Sequence, residues 1–232
     1  MASSPLPAGD QASTQYSRLL KLRWLLMAVF VAVILLSLVA DFMLGPSGLS
    51  WSELMRTLFS PDQAEPTTSV IVWDVRLPYA VMAVVVGLGL GLAGAEMQTI
   101  LANPLASPFT LGISSAAAFG ASLALVLDLS LPWLPADWAV AGNAFVFAIL
   151  SALLLDVLAR WGGMSGSGMV LVGIALVFTF NALVSLMQFI ASAEDLQNLV
   201  FWTMGSLSRA TWPKAGGMLL AFAVIHNISS TF

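Results

Sequence analysis

Apolar residues run along this chain in long unbroken stretches, separated by short polar segments that carry most of the prolines and charges. At 1.5 Å per helical residue, about 20 apolar residues cross the hydrocarbon core of a bilayer. On that criterion six candidate spans emerge, at 24–44, 78–101, 111–131, 138–161, 169–191 and from 215 to the chain end. Lipid offers no partner for backbone N–H and C=O groups, so spanning segments must be helices or strands of a closed barrel. Barrel strands would alternate apolar and polar residues over segments of about ten. These runs are continuous, and they predict an all-α, polytopic transmembrane helix bundle. The sixth run closes on His226-Asn227-Ile228-Ser229-Ser230-Thr231, which is too polar for a finished span.

The connections carry their own patterns. Residues 45–76 hold Gly45, Pro46, Pro61 and Pro66 together with Glu53, Arg56, Asp62, Glu65 and Asp74. Within them, 51–59 places apolar residues at helical spacing behind Ser50, a residue type that caps helix N-termini. A short amphipathic helix on the membrane surface is expected there. Residues 192–214 form a second polar connection, expected to be partly helical. The stretch 103–108 puts two prolines four residues apart among polar neighbours, which a helix cannot accommodate. It is read as a re-entrant or interfacial turn, with a plain cytoplasmic loop as the alternative.

Composition agrees with lipid as the solvent. Of 232 residues, 59% are hydrophobic and 9% charged, and the mean hydropathy is +0.94. Soluble domains have about 45–50% apolar and about 25% charged residues. Orientation rests on Arg18, Lys21 and Arg23 ahead of the first span, which place residues 1–23 in the cytoplasm as an N-terminal tail. All eight cations together divide evenly: with Arg160 the inner side holds four, against Arg56, Arg76, Arg209 and Lys214 outside. The first apolar run is about 20 residues long, beyond the 7–15 of a secretory signal, so the first span is expected to be retained.

Little in the chain points to covalent chemistry. It has no cysteine, no Gly-x-Ser-x-Gly or His-Glu-x-x-His, and no Walker-type phosphate loop. No enzyme activity, metal site or cofactor is expected, and no basic patch suggests nucleic acid. The polar residues inside spans are therefore the candidates. Gly87, Gly89, Gly91 and Gly94 line the second span, where small residues let helices approach closely. Glu96 and Gln98 lie near its inner end, facing either a transport path or the interface. Asn181, Ser185 and Gln188 recur on one face of the fifth span, as a path lining or as hydrogen-bonding glue between helices.

Three stretches together resemble the FecCD-type permeases, which import iron-siderophores, haem or vitamin B12. They are Arg76-Leu77-Pro78 with the glycine-rich span through Gln98, then 103–108 continuing through Ala117, then 173–176 followed by 201–207. The resemblance covers nearly all of the chain from the first span onward. It implies a membrane-spanning ABC importer permease working by alternating access on an iron-siderophore or related chelate. The implied partners are a second permease subunit, two cytoplasmic ATPase subunits that hydrolyse the ATP, and an extracytoplasmic substrate-binding protein. It also implies that Arg76 docks acidic residues of that binding protein, and that Glu96, Gln98, Asn103, Asn181, Ser185 and Gln188 line or gate the path. The family often carries a second Arg after the Pro; Tyr79 stands there instead. Family members have about ten spans, so residues 24–232 read as an incomplete permease domain whose ATPase-coupling segment is absent. An ion-coupled secondary transporter would need ionisable residues at the bilayer midplane and inverted repeats, and neither is evident. A non-transporting remnant is the other alternative.

Overall fold

A computed structural model describes residues 8–44, 48–207 and 209–229. Residues 1–7 of the tail, Gly45 and Pro46 of the first connection, and 230–232 at the chain end lie outside the described residues. Among the described residues the structure is helical throughout, in the order α1 (Ala8–Leu44), α2 (Trp51–Phe59), α3 (Pro66–Val70), a π-helical turn (Ile71–Arg76), α4 (Leu77–Ile100), α5 (Ile113–Leu127), α6 (Ala136–Gly162), α7 (Gly166–Ile190), α8 (Ala193–Met204) and α9 (Trp212–Ser229). Each of the six predicted spans coincides with a helix. Four are long and apolar enough to cross a membrane, while Ile113–Leu127 and Trp212–Ile225 are shorter.

The chain divides into two compact units, Met1–Ala80 and Val81–Phe232. In the first, Phe42 of α1, Leu49, Leu54 of α2, Val72 of the π turn and Ala80 form one buried cluster. The amphipathic helix expected at 51–59 is present, but its face is shared. Leu54 and Thr57 are buried against the chain, and Trp51 and Phe59 remain exposed. Trp73 Nε1 donates to the Thr57 carbonyl at 3.1 Å and ties α2 to the π turn. α1 runs back through the expected tail to Ala8, and from Leu22 to Leu36 its apolar side chains are exposed all round, as expected of a helix solvated by lipid.

Helical backbone begins earlier than the apolar pattern predicts, because Pro66 sits at the first turn behind an extended Glu65. Proline suits that position, since its missing N–H would find no intrahelical partner there. The π turn that follows solves a second proline problem. Pro78 cannot return an N–H to the carbonyl of Asp74, and Leu77 instead donates to the Val72 carbonyl, five residues back.

In the second unit α5 packs on α6, α7 and α8. Ala116, Gly120 and Ala124 repeat at four-residue spacing and are all buried. At Gly120 a Cβ would lie 2.6 Å from the Asn143 carbonyl oxygen of α6, so backbone approaches backbone there. Phe119 meets Phe147 of α6 edge-on at 5.4 Å and Phe180 of α7 at 6.1 Å. Val184 and Met187 of α7 join Leu199 of α8 in a further cluster against α5. The glycines of α4, by contrast, have nothing within 4 Å of where a Cβ would stand.

Candidate docking site and translocation path

Arg76 closes the π turn at the head of α4. Its Nη1 donates to the backbone carbonyl of Asp41, in the last turn of α1, and lies 3.8 Å from the Asp41 carboxylate. The last four carbonyls of a helix have no intrahelical acceptor role to fill, so Arg76 caps α1 while holding its own charge near an acid. Its side chain is 11% exposed against 43% for Asp41. Asp41 was not visible as a partner in the sequence, because 35 residues separate the two.

At the other end of α4 the chain turns sharply. Asn103 N–H donates to the Gln98 carbonyl and Ala102 N–H to that of Thr99, with Ala102 at a φ of 46°. This is the paired 6→1 and 5→2 bonding of a Schellman close, with alanine where glycine is usual. Asn103 Oδ1 then accepts from Leu105 N–H at 2.9 Å. Ser107 and Thr110 exchange side-chain and backbone bonds, Ser107 N–H to Thr110 Oγ1 at 2.9 Å and Thr110 N–H to Ser107 Oγ at 3.2 Å. Leu111 and Gly112 N–H groups reach the Ser107 and Phe109 carbonyls. Pro104 and Pro108 have no N–H to satisfy. A segment bonded in this way can sit at membrane depth when protein covers it.

Protein does cover it. Leu101, Ala106 and Leu111 are buried with Leu155 of α6 and pack on Met169, Val170, Val172 and Leu176 of α7. Leu101 lies at the start of α7, where a Cβ on Gly166 would come within 2.4 Å of the Leu101 carbonyl oxygen. Gly112, with a φ of 79°, lies against Gly173 and Leu176 further along the same helix. The segment therefore climbs roughly 10–15 Å along α7 before α5 begins. α5 has 15 residues, roughly 22 Å of rise, and the two together match a hydrocarbon core of about 30 Å. The expected span at 111–131 is thus part helix and part turn, bounded by left-handed residues at Gly112 and Asp128.

Gln98 and Asn103 come together here. With Ala95, Thr99, Ala102 and Pro104 they line an open depression of about 410 Å³. Glu96 is half-buried and stands about 200° around α4 from Gln98, on a different face. Asn181 and Ser185 are exposed and Gln188 half-buried. Their stripe sits roughly a quarter-turn from the packed residues Val184 and Met187. It also begins 15 residues beyond Gly166, roughly 22 Å along α7 from the depression. The candidates therefore fall into two groups toward opposite ends of the bundle. Among the described residues no three His, Cys, Asp or Glu gather where they could hold a metal ion.

Three polar residues escaped the sequence reading. Asn143 of α6 is buried and its Nδ2 donates to the Leu129 carbonyl, pinning the turn after α5. Ser122 is buried and returns its hydroxyl to the Phe119 carbonyl at 2.7 Å. Ser151 is buried with no hydrogen-bond partner for its hydroxyl. Each is a single small polar residue in an apolar run, and no local pattern sets it apart.

The profile of the FecCD transport family matches residues 28–231. A hemin transport system permease protein of Yersinia pestis is 37% identical over 142 residues, covering 61% of this chain and 42% of that protein. A vitamin B12 import system permease protein of Vibrio cholerae is 34% identical over 204 residues, covering 87% of this chain and 56% of that protein. A solved metal-chelate type ABC transporter, in an inward-facing conformation, superposes with a TM-score of 0.70 at 28% identity, over 88% of this chain and 60% of that one. The chain thus spans about half the length of these curated relatives.

Proposed function

Because this chain belongs to the FecCD transport family, we propose that it serves as a permease subunit of an ABC importer and moves a metal chelate across the inner membrane. The observation that carries this reading is the family match, which extends over 28–231 and so reaches every apolar helix among the described residues. A helical bundle with a TM-score of 0.70 to a metal-chelate type transporter supports it. The cargo we assign is an iron-siderophore, with haem and cobalamin as the neighbouring choices. The relatives named for hemin and vitamin B12 support a bulky metal chelate; a relative named for molybdate import, 32% identical over 207 residues, makes a small oxyanion the competing choice.

In this reading the chain does no covalent chemistry. Two separate ATPase subunits hydrolyse ATP, and their closure rocks two permease subunits between outward and inward access. A substrate-binding protein docks outside, through an acid placed on Arg76. With the N-terminus in the cytoplasm, the 101–112 segment lies at the inner end of the path, and Gln98 and Asn103 gate it there. Asn181, Ser185 and Gln188 offer hydrogen bonds toward the outer end, and Glu96 lines the path on the other face of α4.

The test is uptake of a radiolabelled chelate by cells in which this gene supplies the sole permease, with its own ATPase and binding protein present. A panel of one ferric siderophore, haem and cobalamin is offered separately. ATP-dependent accumulation of the siderophore is expected. Accumulation of haem or cobalamin instead would change the cargo and leave the permease role standing. No accumulation of any of the three, with the subunits assembled, would sink the metal-chelate reading, and failure of molybdate uptake as well would sink the transport role.

A further inference from the structure

Asp41 contacts Arg76 in two chemically distinct ways. Its backbone carbonyl accepts from Nη1, while its carboxylate stands 3.8 Å away. A charge-assisted hydrogen bond between such groups closes to about 2.7–2.9 Å, so the carboxylate neutralises the guanidinium without clasping it. The hydrogen bond that Asp41 offers Arg76 comes from its main-chain carbonyl at the end of α1, and no side-chain substitution at 41 removes it. Of the two side chains the acid is the more exposed, 43% against 11%. An acidic protein approaching Arg76 therefore meets the negative charge of Asp41 beside the cation it seeks.

We propose that Asp41 is a positioning residue for docking at Arg76: its carbonyl aims the guanidinium, and its carboxylate competes with the partner's acid and so sets the strength of the contact. This rests on the docking role assigned to Arg76 above. Two carboxylates that share one guanidinium repel each other, and a transient contact needs a partner that leaves as well as arrives. A part-exposed charge is suited to that tuning, because its effect is modest and screened by salt.

The assembled transporter in nanodiscs is titrated with its chelate-free substrate-binding protein. Five forms are compared: wild type, Asp41→Asn, Asp41→Glu, Arg76→Ala and the Asp41→Asn/Arg76→Ala double variant. Asp41→Asn keeps the carbonyl and the size of the side chain and removes the charge. It is expected to tighten binding about two- to fivefold at low salt, the scale of an exposed ion pair. The gain should vanish in 0.5 M salt and in the Arg76→Ala background, and Asp41→Glu should bind as wild type does. A merely structural Asp41 would give weaker binding in Asp41→Asn, independent of salt. Weaker or unchanged binding there, with Arg76→Ala still impaired, overturns the role of Asp41 alone. Unchanged binding in Arg76→Ala overturns the docking role itself. Asp41→Ser, also uncharged, repeats the comparison if Asp41→Asn fails to assemble.

Discussion

Ala102 ends α4 with its backbone in the left-handed region, φ 46°. For a residue with a Cβ that conformation costs roughly 1–2 kcal/mol, and glycine avoids the cost while losing about 0.5–1 kcal/mol of chain entropy. Ala102→Gly should therefore raise stability by about 0.5–1 kcal/mol, read as a higher thermal unfolding midpoint in detergent. A lower midpoint would mean that Ala102 contributes packing that outweighs the strain. The glycines give the converse case. A Cβ at Gly120 would stand 2.6 Å from the Asn143 carbonyl oxygen, and backbone cannot swing away as a side chain can. Gly120→Ala should cost about 1–3 kcal/mol, the range of core overpacking, whereas Gly87→Ala on the open face of α4 should cost the isolated chain nothing. Equal effects at the two sites would contradict the close α5–α6 approach. The glycine-rich run of the second span stood out in the sequence by its density, and the packed small residues on α5 did not. Ala116, Gly120 and Ala124 are hidden among nine small residues between Ser114 and Ala124, and nothing local says which of them touches a neighbour.

The helices themselves were legible, since lipid solvation leaves a long apolar run for each one. Their ends were less so, because ends depend on single backbone conformations. α2 is the exception, having a full capping box: Ser50 Oγ accepts from Glu53 N–H at 3.3 Å, and the Glu53 carboxylate accepts from Ser50 N–H at 2.8 Å. Ser50→Ala should destabilise α2 by about 1 kcal/mol, visible as faster amide exchange over 51–59. The hydroxyl and N–H of Ser50 hold the Glu53 carboxyl below its ordinary 4.5; slight desolvation opposes them and Arg56 assists. A lowered folded-state value means the contribution of Glu53 is fully present above pH 4.5 and fades as the pH falls through that lowered value. Glu53→Gln should thus flatten the acid side of the α2 exchange profile and leave its shape near neutral pH unchanged. An acid limb identical to wild type would show that the box does not form. α5 was misjudged in length for the same reason that α2 was read well. Its boundaries are Gly112 and Asp128 in left-handed conformations, and apolar residues such as Phe109, Leu111, Leu129 and Leu131 continue beyond them.

At the scale of the whole molecule, sequence could mark polar residues but could not say which of them meet. Gln98 and Asn103 share a depression because the Schellman close folds one back on the other. Arg76 stood out through its motif, but its contact with the end of α1 joins segments 35 residues apart. What the second unit does fix is which ends lie together. Leu101 abuts Gly166, so the 101–112 segment and the head of α7 share one side. Asn143 binds the Leu129 carbonyl, so the turn after α5 and the first turns of α6 share the other. α7 then returns the chain to that second side at α8. The chain contains no cysteine, so single cysteines can be introduced without clearing a background. Leu105→Cys and Ser167→Cys should behave alike toward a charged, impermeant maleimide, and Ser130→Cys and Glu194→Cys should behave alike and oppositely. With the N-terminus in the cytoplasm, intact cells should label the second pair, and the first pair only after permeabilisation. A reversed pattern with the same pairing would invert the orientation proposed from Arg18, Lys21 and Arg23 and move the Gln98–Asn103 depression to the outer face. Labelling that split either pair would mean that the 101–112 segment does not carry the chain part of the way across, and that α5 with its 15 residues, roughly 22 Å, is not a crossing element.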